Sequence, residues 1–280
     1  MHEISDVDRV TLSSYAVSFI YSTSKKYEGK PFHMASGFVF ASEDASDFRV
    51  IVTVKHFVES LVQRNKQGTV TSLSVVHRSL SSESHNIEVD IPLSKIDELF
   101  SLAKGDTDLS VCKITKDIGK SFEENRIPSI RYGLHFGEQD DSQVLGLLIG
   151  YSSHETTTVL KSRIHTIENN EQYTHDVIGI GKMCNRIIPI KAVLQESLKL
   201  HFKLCRNNLP TLTGMSGSPI VVADPANPTS FKFAGQQIAE FVRNGSIEYV
   251  VATPAHQVAK AIASCLLPSG SDESTSKTEV

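Results

Sequence analysis

Short apolar runs, separated by polar and glycine-bearing stretches, recur along the whole chain. Residues 10–22 alternate loosely and predict an opening strand. Met34-Ala35-Ser36-Gly37-Phe38-Val39-Phe40 is a second strand-like run, with a glycine that lets backbones approach. After the polar stretch 42–47, Arg49-Val50-Ile51-Val52-Thr53-Val54 is almost all β-branched and reads as a strand. It runs directly into Lys55-His56-Phe57-Val58-Glu59, and 56–64 fits one or two helical turns. Further strands are predicted at 69–77 and 85–92, then a turn or short helix over 96–100. From Lys104 a polar loop passes into the alternating Asp108-Leu109-Ser110-Val111-Cys112.

Residues 115–130 are polar and irregular, and read as a crossover between two halves. Strands resume at 144–151, 156–166, 177–181, 187–190 and 198–204. The stretch Gly214-Met215-Ser216-Gly217-Ser218-Pro219 predicts a tight turn, and Ile220-Val221-Val222 a strand leaving it. Strands over 231–242 and 246–253 flank Asn244-Gly245, a hairpin turn signal. Asn244-Gly245-Ser246 also fits a glycosylation sequon, which matters only in a secreted chain. Val258, Ile262, Cys265 and Leu266 share one helical face, so 254–266 reads as a helix with Pro254 in its first turn.

The pattern divides into an N-terminal β half over 1–125, a C-terminal β half with closing helix over 126–267, and a disordered tail over 268–280. Roughly six short strands in each half suit a pair of packed barrels or a sandwich.

Composition narrows this further. The 280 residues are 40% hydrophobic and 21% charged, a globular balance. A net charge of −4 with no basic stripe argues against nucleic acid, and no 18-residue apolar run argues for a membrane span. The N-terminus has no basic start followed by an apolar stretch, so no secretory signal is read and a cytoplasmic location is expected. Cys112, Cys184, Cys205 and Cys265 have no metal spacing and are expected as free thiols, with no metal or other cofactor.

The Ser216 turn can present a hydroxyl and several backbone N–H groups to one point, which a nucleophile with an oxyanion hole needs. Taken alone, His56 is one of eleven histidines and reads as an ordinary one. Asp106 and Asp108 both read as loop acids, and Asp108 is preferred because it abuts an apolar strand.

Together these pieces resemble the trypsin-like (chymotrypsin-fold) serine peptidases, in the style of the stand-alone and high-temperature-requirement types. The matching stretches are Ser36-Gly37-Phe38, Thr53-Val54-Lys55-His56, Asp108-Leu109-Ser110-Val111, Ile149-Gly150-Tyr151, the Ser216 turn, and Val251-Ala252-Thr253-Pro254. They cover roughly residues 30 to 266, in the family's own order of His, Asp and Ser. The resemblance implies a mainly all-β fold of two packed six-stranded antiparallel barrels with a C-terminal α-helix. It implies a triad of Ser216 as nucleophile, His56 as base and Asp108 as its orienter. Gly214 and Ser216 would supply the oxyanion-hole N–H groups. The substrate would be a protein or peptide.

The sequence departs from the digestive branch at Met215, where an Asp pairs with a freshly cut N-terminus; activity is therefore expected without zymogen cleavage. By resemblance, Pro210, Thr211, Leu212 and Thr213, with Ile238, Ala239 and Glu240, wall the first specificity pocket, and a small or apolar side chain is expected there. The loops 60–70, 115–130 and 166–185 are candidates for gating, with or without a regulatory partner. Thr278-Glu279-Val280 has the form of a ligand for PDZ domains. The competing function is a catalytically silent binding module on the same fold.

Overall fold

Strands that alternate between two hydrophobic cores explain why several runs are apolar at every position. The structure, a computed structural model, describes residues 5–27, 30–42, 49–80, 86–136, 145–168, 171–196, 199–205, 211–224 and 227–266. The first half opens with α1 (Asp6–Ser13), β1 (Ala16–Tyr27), β2 (Lys30–Ala41) and β3 (Arg49–Thr53). It continues through α2 (Lys55–Lys66), β4 (Val70–Arg78), β5 (Asn86–Asp90), α3 (Ile96–Leu99), β6 (Phe100–Leu102) and β7 (Ser110–Lys113). Next come α4 (Lys116–Glu124), β8 (Ile130–Arg131) and α5 (Tyr132–His135). The second half contains β9 (Leu145–Glu168), β10 (Glu171–Glu196), β11 (Lys199–Leu204), β12 (Pro219–Asp224), β13 (Asn227–Arg243), β14 (Ser246–Pro254) and α6 (Ala255–Leu266).

The second half is a closed six-stranded barrel in the order β10-β11-β14-β13-β12-β9, as expected. The first half has eight strands instead of six: an antiparallel sheet β5-β4-β1-β2-β3-β7-β6, with the short β8 parallel to β2. On β1, Val17, Phe19 and Tyr21 enter the core of the first half, while Ala16 and Ile20 enter a second core with Ile149, Tyr151 and Val221 of the barrel. On β3, Ile51 enters the first core, and Val50 and Val52 meet α6 through Val258 and Ile262. Burial on both faces removes the polar alternation that a half-exposed strand keeps.

The two ends of the described chain are laced across the halves. Leu12 of α1 packs with Met183 and Phe231 of the barrel, and Asn185 donates its side-chain N–H to the Ser13 carbonyl at 3.1 Å. α6 lies in the opposite sense, with Val258 and Ile262 against Leu109 and Val111 of the first half.

Three local readings are revised. Residues 10–13, read as the start of the first strand, belong to α1, which is capped by the Ser5 hydroxyl accepting from the Asp8 N–H. The crossover 115–130 contains α4, which Thr115 caps and which buries Ile118 and Phe122 at an i, i+4 spacing. The separate strands expected at 156–166 and 177–181 belong to the long antiparallel pair β9–β10, whose register runs from Leu145↔Lys191 to Glu168↔Glu171. All three candidate gating loops thus hold regular structure: 60–66 belongs to α2, 116–124 to α4, and 171–185 to β10. The hairpin at Asn244-Gly245 forms as read, with φ of 52° and 74°. Residues 268–280, including Thr278-Glu279-Val280, lie outside the described residues. Among the described residues no helix is long and apolar enough to cross a membrane.

His77 joins β4 to α4. It is fully buried, its Nε2 pairs with the Ser121 hydroxyl at 3.0 Å, and its ring meets Phe122 edge-on at 5.1 Å. Burial pushes its pKa down to about 4, with a backbone hydrogen bond at Arg78 opposing. The unfolded chain therefore takes up this proton first as pH falls. The stability tied to neutral His77 is complete above pH 6.5 and is lost progressively toward about pH 4. That loss amounts to about 3 kcal/mol. Urea unfolding across this range should show it, and His77→Gln should flatten the dependence.

Candidate active site

His56 is the second residue of α2, directly after β3. The first backbone N–H groups of a helix have no partner within it, and Val54 at the cap offers no side-chain acceptor. Asp108 supplies one from the loop entering β7. Its Oδ1 accepts the His56 backbone N–H at 2.9 Å, and its Oδ2 is 2.7 Å from His56 Nδ1. One carboxylate therefore caps the helix and orients the ring that the helix carries. Leu109, fully buried next to it, anchors the approach. Asp106, the other sequence candidate, is exposed.

The charge balance follows from this geometry. Burial raises the Asp108 pKa, but hydrogen bonds from the His56 ring and from the His56 and Lys55 backbones outweigh it and hold the carboxyl below its usual range. The hydrogen bond to Asp108 raises the pKa of His56; burial opposes this, and the charges of Asp108 and Glu59 add to it.

Ser216 is the second residue of the latter of two consecutive turns. The Met215 N–H donates to the Leu212 carbonyl at 2.8 Å, and the Ser218 N–H to the Met215 carbonyl at 2.9 Å. The third residue of each turn is a glycine at positive φ, +90° at Gly214 and +95° at Gly217, as turns of type II require. The first half grips this segment. The Ser36 N–H donates to the Ser216 carbonyl at 2.8 Å, and the Ser36 hydroxyl to the Gly214 carbonyl at 2.9 Å. From the barrel side, the Gly217 N–H donates to the Gln237 carbonyl at 2.8 Å. The N–H groups of Gly214 and Ser216 make no hydrogen bond to any described residue, which leaves two adjacent donors for an incoming acceptor. The Ser216 hydroxyl makes none to the His56 ring, whose one hydrogen bond among the described residues is to Asp108.

His56, Gly214 and Ser216 line one cleft of about 560 Å³ between the halves. Of the residues assigned to the first pocket, Thr211, Leu212, Thr213 and Glu240 line it as well. Ile238 packs instead against the core of the first half, Ala239 is exposed, and Pro210 lies outside the described residues. Glu240 is committed to the wall: its carboxylate accepts from the Leu212 N–H at 2.7 Å and the Thr211 hydroxyl at 3.1 Å. Met215 is fully buried in the barrel core. Cys112, Cys205 and Cys265 form no disulfide, and among the described residues no group of three or more His, Cys, Asp or Glu is arranged to hold a metal.

Sequence reasoning named Ser36 only as part of a strand. Its grip on the Ser216 turn left no mark of its own; the neighbouring Gly37 reports only the close approach of β3, where an added Cβ would lie 2.4 Å from the Val52 carbonyl oxygen. Ser153 of β9, whose N–H and Oγ reach the Thr213 carbonyl at 2.9 and 3.0 Å, carried no sequence signal.

This arrangement of strands occurs in solved proteins. The HtrA-type protease AlgW, determined with a decapeptide, aligns over 94% of this chain and 67% of its own, with 14% identity and a TM-score of 0.50. The thermostable serine protease AL20 from an extremophilic microorganism aligns over 92% and 100%, with 12% identity and a TM-score of 0.49. The active form of the Rv3671c protease from M. tuberculosis aligns over 91% and 83%, with 14% identity and a TM-score of 0.43. At these identities the likeness is one of fold, and the fold is the chymotrypsin type. No family sequence model and no curated protein sequence matches the chain.

Proposed function

We propose that this chain is a serine endopeptidase acting through Ser216, His56 and Asp108. The observation that carries the reading is the 2.7 Å bond between His56 Nδ1 and Asp108 in a cleft that Ser216 shares. Serine is a weak nucleophile at neutral pH and needs a base. In this reading the Ser216 Oγ attacks a peptide carbonyl while His56 Nε2 takes its proton. Asp108 holds the other ring nitrogen, fixing the tautomer and stabilising the imidazolium. The N–H groups of Gly214 and Ser216 receive the negative charge that develops on the carbonyl oxygen. His56 then returns the proton to the leaving amine. Water releases the acyl group from Ser216 by the same steps in reverse.

Met215, buried and uncharged, offers no ion pair to a freshly cut N-terminus, so activity without N-terminal processing belongs to the same proposal. Regulation by a partner remains compatible with it.

Labelling with a fluorophosphonate probe tests the reading. The native chain is expected to be labelled and Ser216→Ala is not. A folded native chain that takes no label would overturn the proposal in favour of a binding module on the same fold.

A further inference from the structure

We propose that Ser153 is a positioning residue for the oxyanion hole, holding the Thr213 carbonyl so that the Gly214 N–H points into the cleft. The inference rests on the peptidase reading above and assigns a further residue to the same site. The C=O of Thr213 and the N–H of Gly214 belong to one planar trans peptide and point in opposite directions. Whatever fixes the oxygen therefore fixes the hydrogen. Two donors fix it: the Ser153 N–H at 2.9 Å and the Ser153 hydroxyl at 3.0 Å.

The turn does not select this orientation by itself. With glycine at its third position, the segment Leu212-Thr213-Gly214-Met215 can form a type II turn at positive φ or a type I turn at negative φ, and both keep the closing bond from Met215 to Leu212. The two differ by a flip of the peptide between Thr213 and Gly214. In the flipped state a carbonyl oxygen replaces the N–H, which puts an acceptor where the developing negative charge must be received. The observed φ of +90° is the type II state.

The next peptide is pinned separately. Ser36 Oγ accepts the Tyr151 N–H at 2.9 Å, which directs its own proton to the Gly214 carbonyl. Ser36 thus fixes the carbonyl after Gly214, and Ser153 the one before it. Gly214 must also be a glycine for β9 to come this close, because a Cβ there would lie 2.8 Å from the Ser153 nitrogen.

Ser153→Ala removes the hydroxyl and leaves the N–H, so the clamp is weakened and not abolished. With a fluorogenic peptide selected on the native enzyme, kcat should fall about tenfold while KM stays within about twofold. Binding of the matching peptide aldehyde, which develops an oxyanion on Ser216, should weaken by the same factor. Ser153→Thr restores the hydroxyl and should recover both. The idea is overturned by an unchanged kcat in Ser153→Ala, by unchanged aldehyde affinity, or by a Thr variant no better than Ala. Native enzyme and Ser216→Ala are assayed alongside. If the native chain turns over and Ser216→Ala does not, the peptidase reading stands whatever Ser153→Ala does. A native chain without turnover ends both.

Discussion

Asp108→Asn is expected to lower kcat by about 10⁴-fold without unfolding the protein. The size of the effect follows from the two jobs of the Asp108 carboxylate. Oδ1 accepts the His56 backbone N–H, and an amide oxygen can do the same, so the cap on α2 survives. Oδ2 faces His56 Nδ1 at 2.7 Å. An amide NH₂ in its place donates, and drives the ring proton to Nε2, where the base should be free to accept. The pH dependence carries the sign. In the native protein the carboxylate raises the His56 pKa, so the acid limb of the kcat/KM profile lies above the ordinary histidine value. Without the negative charge the imidazolium loses its partner, and the limb moves to lower pH as the maximum falls. Steady-state rates from pH 5 to 9 on the same peptide would show both changes. An acid limb that stays in place would mean that this bond does not govern the protonation of His56.

Gly217→Ala should destabilise the chain by about 4 kcal/mol. An L side chain at a φ of +95° is strained, which costs about 1–3 kcal/mol. The new Cβ would also lie only 2.0 Å from the Ser36 carbonyl oxygen. That oxygen is backbone in β2, and it already accepts the Thr53 hydroxyl at 2.8 Å, so it has little room to retreat. Overpacking of this kind adds about 1–3 kcal/mol. Gly245→Ala is the comparison: φ is +74° there, but nothing lies within 4 Å of the added carbon, and a cost of about 1 kcal/mol is expected. Urea unfolding of the two variants separates the clash from the strain. Equal losses would show that Ser36 yields easily.

What could be read in the sequence was whatever left a local mark. The β-branched run 49–54, the Asn244-Gly245 turn and the face of α6 each have a spacing that one kind of structure satisfies. The Ser216 turn was legible because its two glycines are obligatory for its backbone. α1 and α4 were missed because their apolar stripes are short and interrupted by charge, and their stability comes from the faces they cover. Ile118 and Phe122 look unremarkable until the first core is there to receive them. The eighth strand escaped for a related reason: Ile130 and Arg131 are two residues whose pairing exists only against β2. Ser153 was invisible because its partner is a backbone oxygen sixty residues away, and a carbonyl has no letter in the sequence. Glu240 was read as a pocket residue, but the tie of its carboxylate to the Leu212 N–H, another backbone partner, left no mark in the sequence.

The lacing of the chain ends across the two halves bears on the order of synthesis. A chain is made from its N-terminus and folds in units as it emerges. The sheet that carries His56 and Asp108 has all its strands by Arg131. Ser216 follows much later, and α6, which packs over the seam between the halves, later still. A growing chain therefore holds a complete His–Asp pair with no hydroxyl to serve, and then a hydroxyl whose supporting seam is still open. The proposed cutting activity is withheld from the nascent protein and its surroundings by nothing more than the sequence in which its parts are written.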